Sequence, residues 1–163
     1  MKYENIGFIG LGNVGSNLAR NLVNSKKKLF LYDKNIKTYN KFKKTNAIYC
    51  ESLKDLCNNS SIIITCLPSP QSINQVIKTI IPYINKKHLW IEMSTTDKNE
   101  IIRLSNIFKS KGASMLEAPI TGGEHRAHSG NISILAAGNR KNFKRAYPVL
   151  RKMGYQILFC GKL

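Results

Sequence analysis

The segment that most limits what this chain can become is Gly10-Leu11-Gly12-Asn13-Val14-Gly15, a G-x-G-x-x-G run set directly behind the apolar residues 6–9. A short apolar run of that kind reads as a buried strand, and Val14, Leu18, Leu22 and Val23 recur at helical spacing over residues 13–24. The strand must therefore turn into a helix within a few residues, a turn that glycine permits. A second apolar run, 29–32, ends on Asp33, 18 residues after Gly15. Strand, glycine turn, helix, strand and terminal acid together make the βαβ unit that presents helix-start amides to a pyrophosphate.

Each glycine has its own physical task in that unit. Gly10 permits the tight turn, Gly12 lets backbone approach phosphate with no side chain in the way, and Gly15 lets helix and sheet pack closely. Leu11, Asn13 and Val14 complete the turn, whose amides meet the phosphates with the helix dipole behind them. Asp33 can accept hydrogen bonds from the ribose hydroxyls and repels a 2′-phosphate, so NAD is expected over NADP. Lys34 and Lys37 argue the other way. A ligand-free glycine turn is the alternative, and it requires none of the flanking features.

The rest of the chain alternates in the same manner. Strands are expected at 47–49, 61–67 (closed by Pro68), 88–93, 113–118 (broken by Pro119), 132–137 and 155–159. Helices are expected at 36–44, 52–57 with Ser52 as cap, 72–83, 98–110 with Ser94-Thr95-Thr96-Asp97 as capping stretch, and 141–153. Gly112 ends the 98–110 helix, and the run ITGGEHRAHSGN reads as a loop. Alternation of this kind predicts right-handed crossovers and a mostly parallel sheet with helices on both faces. The expected fold is α/β, Rossmann-like and doubly wound, as a single domain over residues 1–163.

Composition narrows the partners. The 163 residues carry a formal charge of +17, yet 20 of the 26 basic residues are lysines scattered along the chain, with no aromatic interleaving for base stacking. Lys, Asn and Ile together number 57, a joint bias that adenine- and thymine-rich codons would produce. Nucleic acid is therefore not expected as the principal partner. No apolar run reaches the roughly 18–20 residues of a membrane span, and Met1-Lys2-Tyr3-Glu4-Asn5 lacks the layout of a signal peptide, so a cytoplasmic protein is expected. Cys50, Cys57, Cys66 and Cys160 form no C-x-x-C pair and are expected to be small buried apolar residues, with no metal site. His125 and His128 are expected to be solvated or structural.

Four ordered blocks resemble the β-hydroxyacid dehydrogenase family, which includes 3-hydroxyisobutyrate, tartronate semialdehyde and 6-phosphogluconate enzymes. The first, GFIGLGNVGSNLARNL, is similar to the family's G-F-I-G-L-G-x-M-G-x-x-M-A-x-N-L, with Val14 and Leu18 at the two methionine places. Leu67-Pro68-Ser69 resembles the family loop that lies along the cofactor. Glu92-Met93-Ser94-Thr95 resembles D-x-S-T, which implies that Ser94 and Thr95 sit near the nicotinamide end; Glu92 stands where the family has Asp. Glu117-Ala118-Pro119-Ile120-Thr121-Gly122-Gly123 resembles D-A-P-V-S-G-G, which implies that Thr121, Gly122 and Gly123 bind a substrate carboxylate. Ala127, Gly130 and the run ISILAAG continue the pattern. The resemblance implies an oxidoreductase that moves a hydride between NAD(P) and a small 3-hydroxy acid.

It also implies what the 163 residues do not contain. The lysine that handles the hydroxyl proton in the family would fall roughly seven residues past Leu163, and Lys162 lies too early in the pattern to replace it. The family's helical C-terminal domain, which closes the substrate cleft, is likewise expected to be absent. The chain is then either a truncated dehydrogenase completed by a separately encoded domain, or a cofactor-binding remnant or module that does not catalyse. Apolar surface around Phe143, Leu150 and Phe159 would be bared, favouring homo-oligomers or poor solubility.

Overall fold

The computed structural model describes residues 4–23 and 25–163. The expected signal-free start at residues 1–3 and the last residue of the 13–24 helix lie outside them. Among the described residues nine strands form one sheet: β1 (Ile6–Ile9), β2 (Leu29–Tyr32), β3 (Ile48–Tyr49), β4 (Ile62–Thr65), β5 (Leu89–Glu92), β6 (Ser114–Glu117), β7 (Ile120–Thr121), β8 (Ile132–Gly138) and β9 (Gly154–Gly161). The helices are α1 (Asn13–Arg20), α2 (Leu53–Asn59), α3 (Pro70–Ile80), α4 (Lys98–Ser110), α5 (Gly123–His128) and α6 (Arg140–Met153).

Across the sheet the strands run β3-β2-β1-β4-β5-β6-β8-β7, with β9 against the other edge of β8. The first six are parallel, in the order of a doubly wound dinucleotide fold. The chain reverses its direction of winding between β1 and β4, so a crevice opens beyond the carboxyl ends of those two strands. β8 then turns antiparallel to β6 and β7, and β9 returns parallel to β8. Pro119 separates β6 from β7, but its carbonyl still accepts the Leu135 N–H at 2.9 Å.

The near-continuous apolar runs of β1, β4 and β5 follow from burial on both faces. Successive side chains alternate between two cores. One face packs Phe8, Leu31, Ile64 and Ile91 against Leu18 of α1 and Val149, Leu150 and Met153 of α6. The other packs Ile9, Ile63 and Trp90 against Leu56 of α2, Ile73 and Ile77 of α3, and Leu104 and Phe108 of α4.

Several sequence expectations change. Residues 36–44 form not an α-helix but a 3-10 helix, Ile36–Phe42, started by Asn35, whose side chain accepts the Lys37 N–H at 3.1 Å. Thr38, Tyr39 and Asn40 are weak α-helix formers, and the tighter winding suits a short connection. The helix expected over 13–24 stops at Arg20, and the helix expected over 72–83 becomes α3 followed by a 3-10 turn, Ile81–Tyr83. The loop expected after Pro119 contains β7 and α5. Cys50 and Cys57 are buried, but Cys66 is half-buried and Cys160 exposed, because Cys160 lies on the uncovered face of β9. Leu150 is buried and Phe143 and Phe159 are half-buried against each other, contrary to the expected bare patch; the exposed apolar side chains at that end include Tyr147, Tyr155, Leu158 and Leu163.

Candidate cofactor cleft

The cleft is built first by its glycines. Gly10 leaves β1 with φ of +97°, and a Cβ there would stand 2.3 Å from the Cys66 carbonyl oxygen. At Gly15 a Cβ would stand 2.1 Å from the Gly10 carbonyl oxygen, so only glycine lets α1 settle onto the turn. Gly12 differs: a Cβ there would meet no protein atom within 4 Å. Gly12 is also the N-cap of α1 and has no side chain to bond the first-turn amides. Those amides are left for a ligand or water, at the positive end of the helix.

Asp33, just past β2, is held by two backbone donors. Its Oδ2 accepts the Leu11 N–H at 2.6 Å and its Oδ1 the Asn35 N–H at 2.8 Å. The Tyr49 hydroxyl donates to the Asp33 carbonyl at 3.1 Å, and burial raises that tyrosine's pKa. The carboxylate is thus fixed at the end of the cleft before any ligand arrives.

The opposite wall comes from the loops after β4 and β5. Leu67 and Pro68 precede Ser69, which caps α3 by accepting the Ser72 N–H at 3.2 Å. Ser94 is buried, and its Oγ accepts the Leu67 N–H at 2.8 Å, joining the two loops. Beneath them Glu92 is fully buried, and burial drives its carboxyl pKa upward. Burial pushes the Cys66 thiol up to about 12, so the thiol stays protonated.

Together these elements enclose a cleft of about 970 Å³. Gly10, Gly12, Asn13, Val14, Gly15, Asp33, Leu67, Pro68, Ser94, Thr95, Thr121, Gly122 and Gly123 all line it. Leu11 does not: its side chain is fully buried and its N–H goes to Asp33. Sequence reasoning missed Gln75, Val76 and Thr79, which α3 presents along one side, and Tyr32, Asn35 and Thr38 at the Asp33 end. The signal for the α3 group was their place beside the buried Ile73–Ile77 stripe, but periodicity alone cannot separate a cleft-lining flank from a solvated one.

His125 and His128 are exposed on α5, outside the cleft. His88 is buried: its Nδ1 accepts the Asn85 N–H at 3.0 Å, and its Nε2 lies 3.0 Å from the Cys57 carbonyl, to which it donates. Burial lowers its pKa, keeping it a neutral tie between β5 and α2. Among the described residues no group of three or more His, Cys, Asp or Glu is placed to hold a metal, and no helix is long and apolar enough to cross a membrane.

The family described as the NAD binding domain of 6-phosphogluconate dehydrogenase matches residues 5–161. The chain belongs to that family. It is 33% identical over 159 residues to the mitochondrial 3-hydroxyisobutyrate dehydrogenase of Rattus norvegicus, covering 96% of this chain and 48% of that protein. It is 30% identical over 166 residues to an uncharacterized oxidoreductase of Synechocystis, covering 99% of this chain and 57% of that one. Among solved structures, the 3-hydroxyisobutyrate dehydrogenase of Mycobacterium tuberculosis, determined with L-serine, superposes with a TM-score of 0.92 at 24% identity, covering 98% of this chain and 55% of that chain. The likeness extends the Rossmann-like fold to this NAD-binding family member. The chain spans about half the length of the curated relatives it matches.

Proposed function

We propose that this chain is the nicotinamide-dinucleotide half of an oxidoreductase related to 3-hydroxyisobutyrate dehydrogenase, acting on a small 3-hydroxy acid. The observation that carries this reading is a single cleft lined by both the glycine turn at 10–15 and the Thr121-Gly122-Gly123 segment. The residues fit the cofactor: the α1 amides are uncapped, Gly12 leaves space where a side chain would stand, and Asp33 is fixed at the far end. In this reading the turn holds the pyrophosphate, Asp33 the adenosine ribose, and Leu67, Pro68, Ser94 and Thr95 the nicotinamide end. Thr121 with the Gly122 and Gly123 amides holds the substrate carboxylate. When bound, the nicotinamide supplies hydride transfer.

The proton on the substrate hydroxyl needs its own acid or base. Among the described residues lining the cleft, Lys34 is the one lysine, and it neighbours Asp33 rather than Thr121. The residues lining this cleft therefore offer no lysine beside Thr121 for that proton, and residues 1–163 alone are expected to bind cofactor but to give no NAD reduction with 3-hydroxyisobutyrate when NADH absorbance is followed; clear turnover would overturn this.

NAD is the preferred form, because the two oxygens of Asp33 are already tied down and its charge would face a 2′-phosphate. Titrating the protein with NADH and NADPH by fluorescence tests this. NADH is expected to bind at least about tenfold more tightly, a gap of about 1.4 kcal/mol, and Asp33→Ala to narrow it. Tighter NADPH binding by the unsubstituted protein would overturn the preference, and no saturable signal with either would overturn the cofactor reading.

A further inference from the structure

We propose that Glu92 is a positioning residue for the cleft, joining through Ser94 the two loops that follow β4 and β5. The proposal rests on the reading that this cleft takes a nicotinamide dinucleotide. Glu92 closes β5 with its side chain fully buried. Its Oε1 accepts the Ser94 N–H at 2.9 Å, and its Oε2 lies 2.8 Å from the Thr65 hydroxyl at the end of β4. Ser94 Oγ in turn accepts the Leu67 N–H. The bonds thus run from the end of β4 to β5 and back to the loop after β4. Ser94 and Leu67 line the cleft, whereas Glu92 and Thr65 do not. Glu92 therefore acts through its neighbours and not by touching a ligand.

A protonated carboxyl preserves every link in this chain. Its Oε2–H would donate to Thr65 Oγ1, freeing the Thr65 hydroxyl to donate to the Ile91 carbonyl 3.4 Å away, while Oε1 continues to accept from Ser94. Burial favours that neutral form, and the hydrogen bonds from Ser94 and Thr65 oppose it. The titratable groups on the adjoining strands are Cys66 after β4 and Glu117, the register partner of Glu92 on β6, whose own carboxyl burial pushes up. Helices α3 and α4 bury uncharged residues on this face, Ile73, Ile77, Ile101 and Leu104, and their Glu100–Arg103 pair bonds to Asn74. A glutamine at 92 would keep the geometry, with its amide oxygen accepting from Ser94 and its NH2 donating to Thr65.

The test measures amide hydrogen exchange without cofactor, and NADH affinity by titration, in the unsubstituted protein, Glu92→Gln and Glu92→Ala. E92Q is expected to keep both exchange rates and affinity, within about threefold. E92A is expected to speed exchange at Leu67 and Ser94 while the β1 amides stay slow, and to weaken NADH by about tenfold or more. Because the folded carboxyl titrates above its usual 4.5, the native state keeps a proton that the unfolded state loses, and stability falls as pH rises from there. Glutamine has no proton to lose, so the Tm of E92Q relative to the unsubstituted protein should climb with pH. If E92A does not fold, Ser94→Ala, which removes the hydroxyl that accepts the Leu67 N–H while leaving the Ser94 N–H on Glu92, should speed exchange at Leu67. Unchanged exchange at both amides in E92A, uniformly faster exchange across the sheet, or E92Q behaving like E92A would each overturn the proposal. Failure of the unsubstituted protein to bind NADH would instead count against the cofactor reading, while the exchange rates still decide the role of Glu92.

Discussion

At Gly12 and Gly15 the same substitution should have opposite consequences. A side chain at Gly15 runs into the Gly10 carbonyl, so Gly15→Ala must lift α1 from the sheet and is expected to cost about 1–3 kcal/mol in chemical denaturation. A side chain at Gly12 meets no protein atom and its φ of −63° suits any L-residue, so Gly12→Val should change stability by less than about 1 kcal/mol. Its effect should fall on NADH binding, where the side chain occupies the space above the uncapped amides. Equal losses of stability in the two variants would contradict this division of labour. The glycine spacing and the distance to Asp33 were legible because they are local in sequence. The fate of Leu11 was not: that its N–H would go to Asp33, and its side chain to the core, depends on β1 and β2 being paired.

Helix starts were easier to read than helix ends. Ser52 and Asp97 both cap as their positions suggest, accepting the N–H of Asp55 and of Glu100. Asp97→Ala should cost about 1 kcal/mol and lower Tm by about 2–4 °C in a protein of this size, without weakening NADH binding, since Asp97 does not line the cleft. An unchanged Tm would show that the cap contributes nothing. The segment after Pro119 was illegible for a physical reason. β7 has two residues and α5 six with only Ala127 buried, too few to show a period; β7 exists because Ile120 and Thr121 pair with Ile134 and Ser133, residues more than ten positions away. The 3-10 helix at Ile36–Phe42 escaped because its spacing imitates an α-helix over so short a run.

At the scale of the whole molecule, the reversal of winding between β1 and β4 matters more than any single motif. It brings the glycine turn, the loop after β4 and the loop after β5 to one edge of the sheet, where segments distant in sequence share a wall. The strand–helix alternation and its mostly parallel sheet were readable, because both faces of the central strands are buried and their apolar runs are nearly unbroken. Which apolar side chains remain bare at the β9 end was not readable: α6 turns its Leu150 into the core but leaves its Tyr147 exposed, as is Leu158 of β9, an outcome of packing rather than of pattern. The central claim is that this one cleft takes a nicotinamide dinucleotide, and the most direct measurement is backbone NMR of the labelled protein titrated with NADH. Saturable shifts are predicted at Gly10, Gly12, Asn13, Asp33, Leu67, Ser94 and Thr95, with α4 and β9 undisturbed. Saturable shifts confined to other surfaces, or none at all from folded protein, would contradict it.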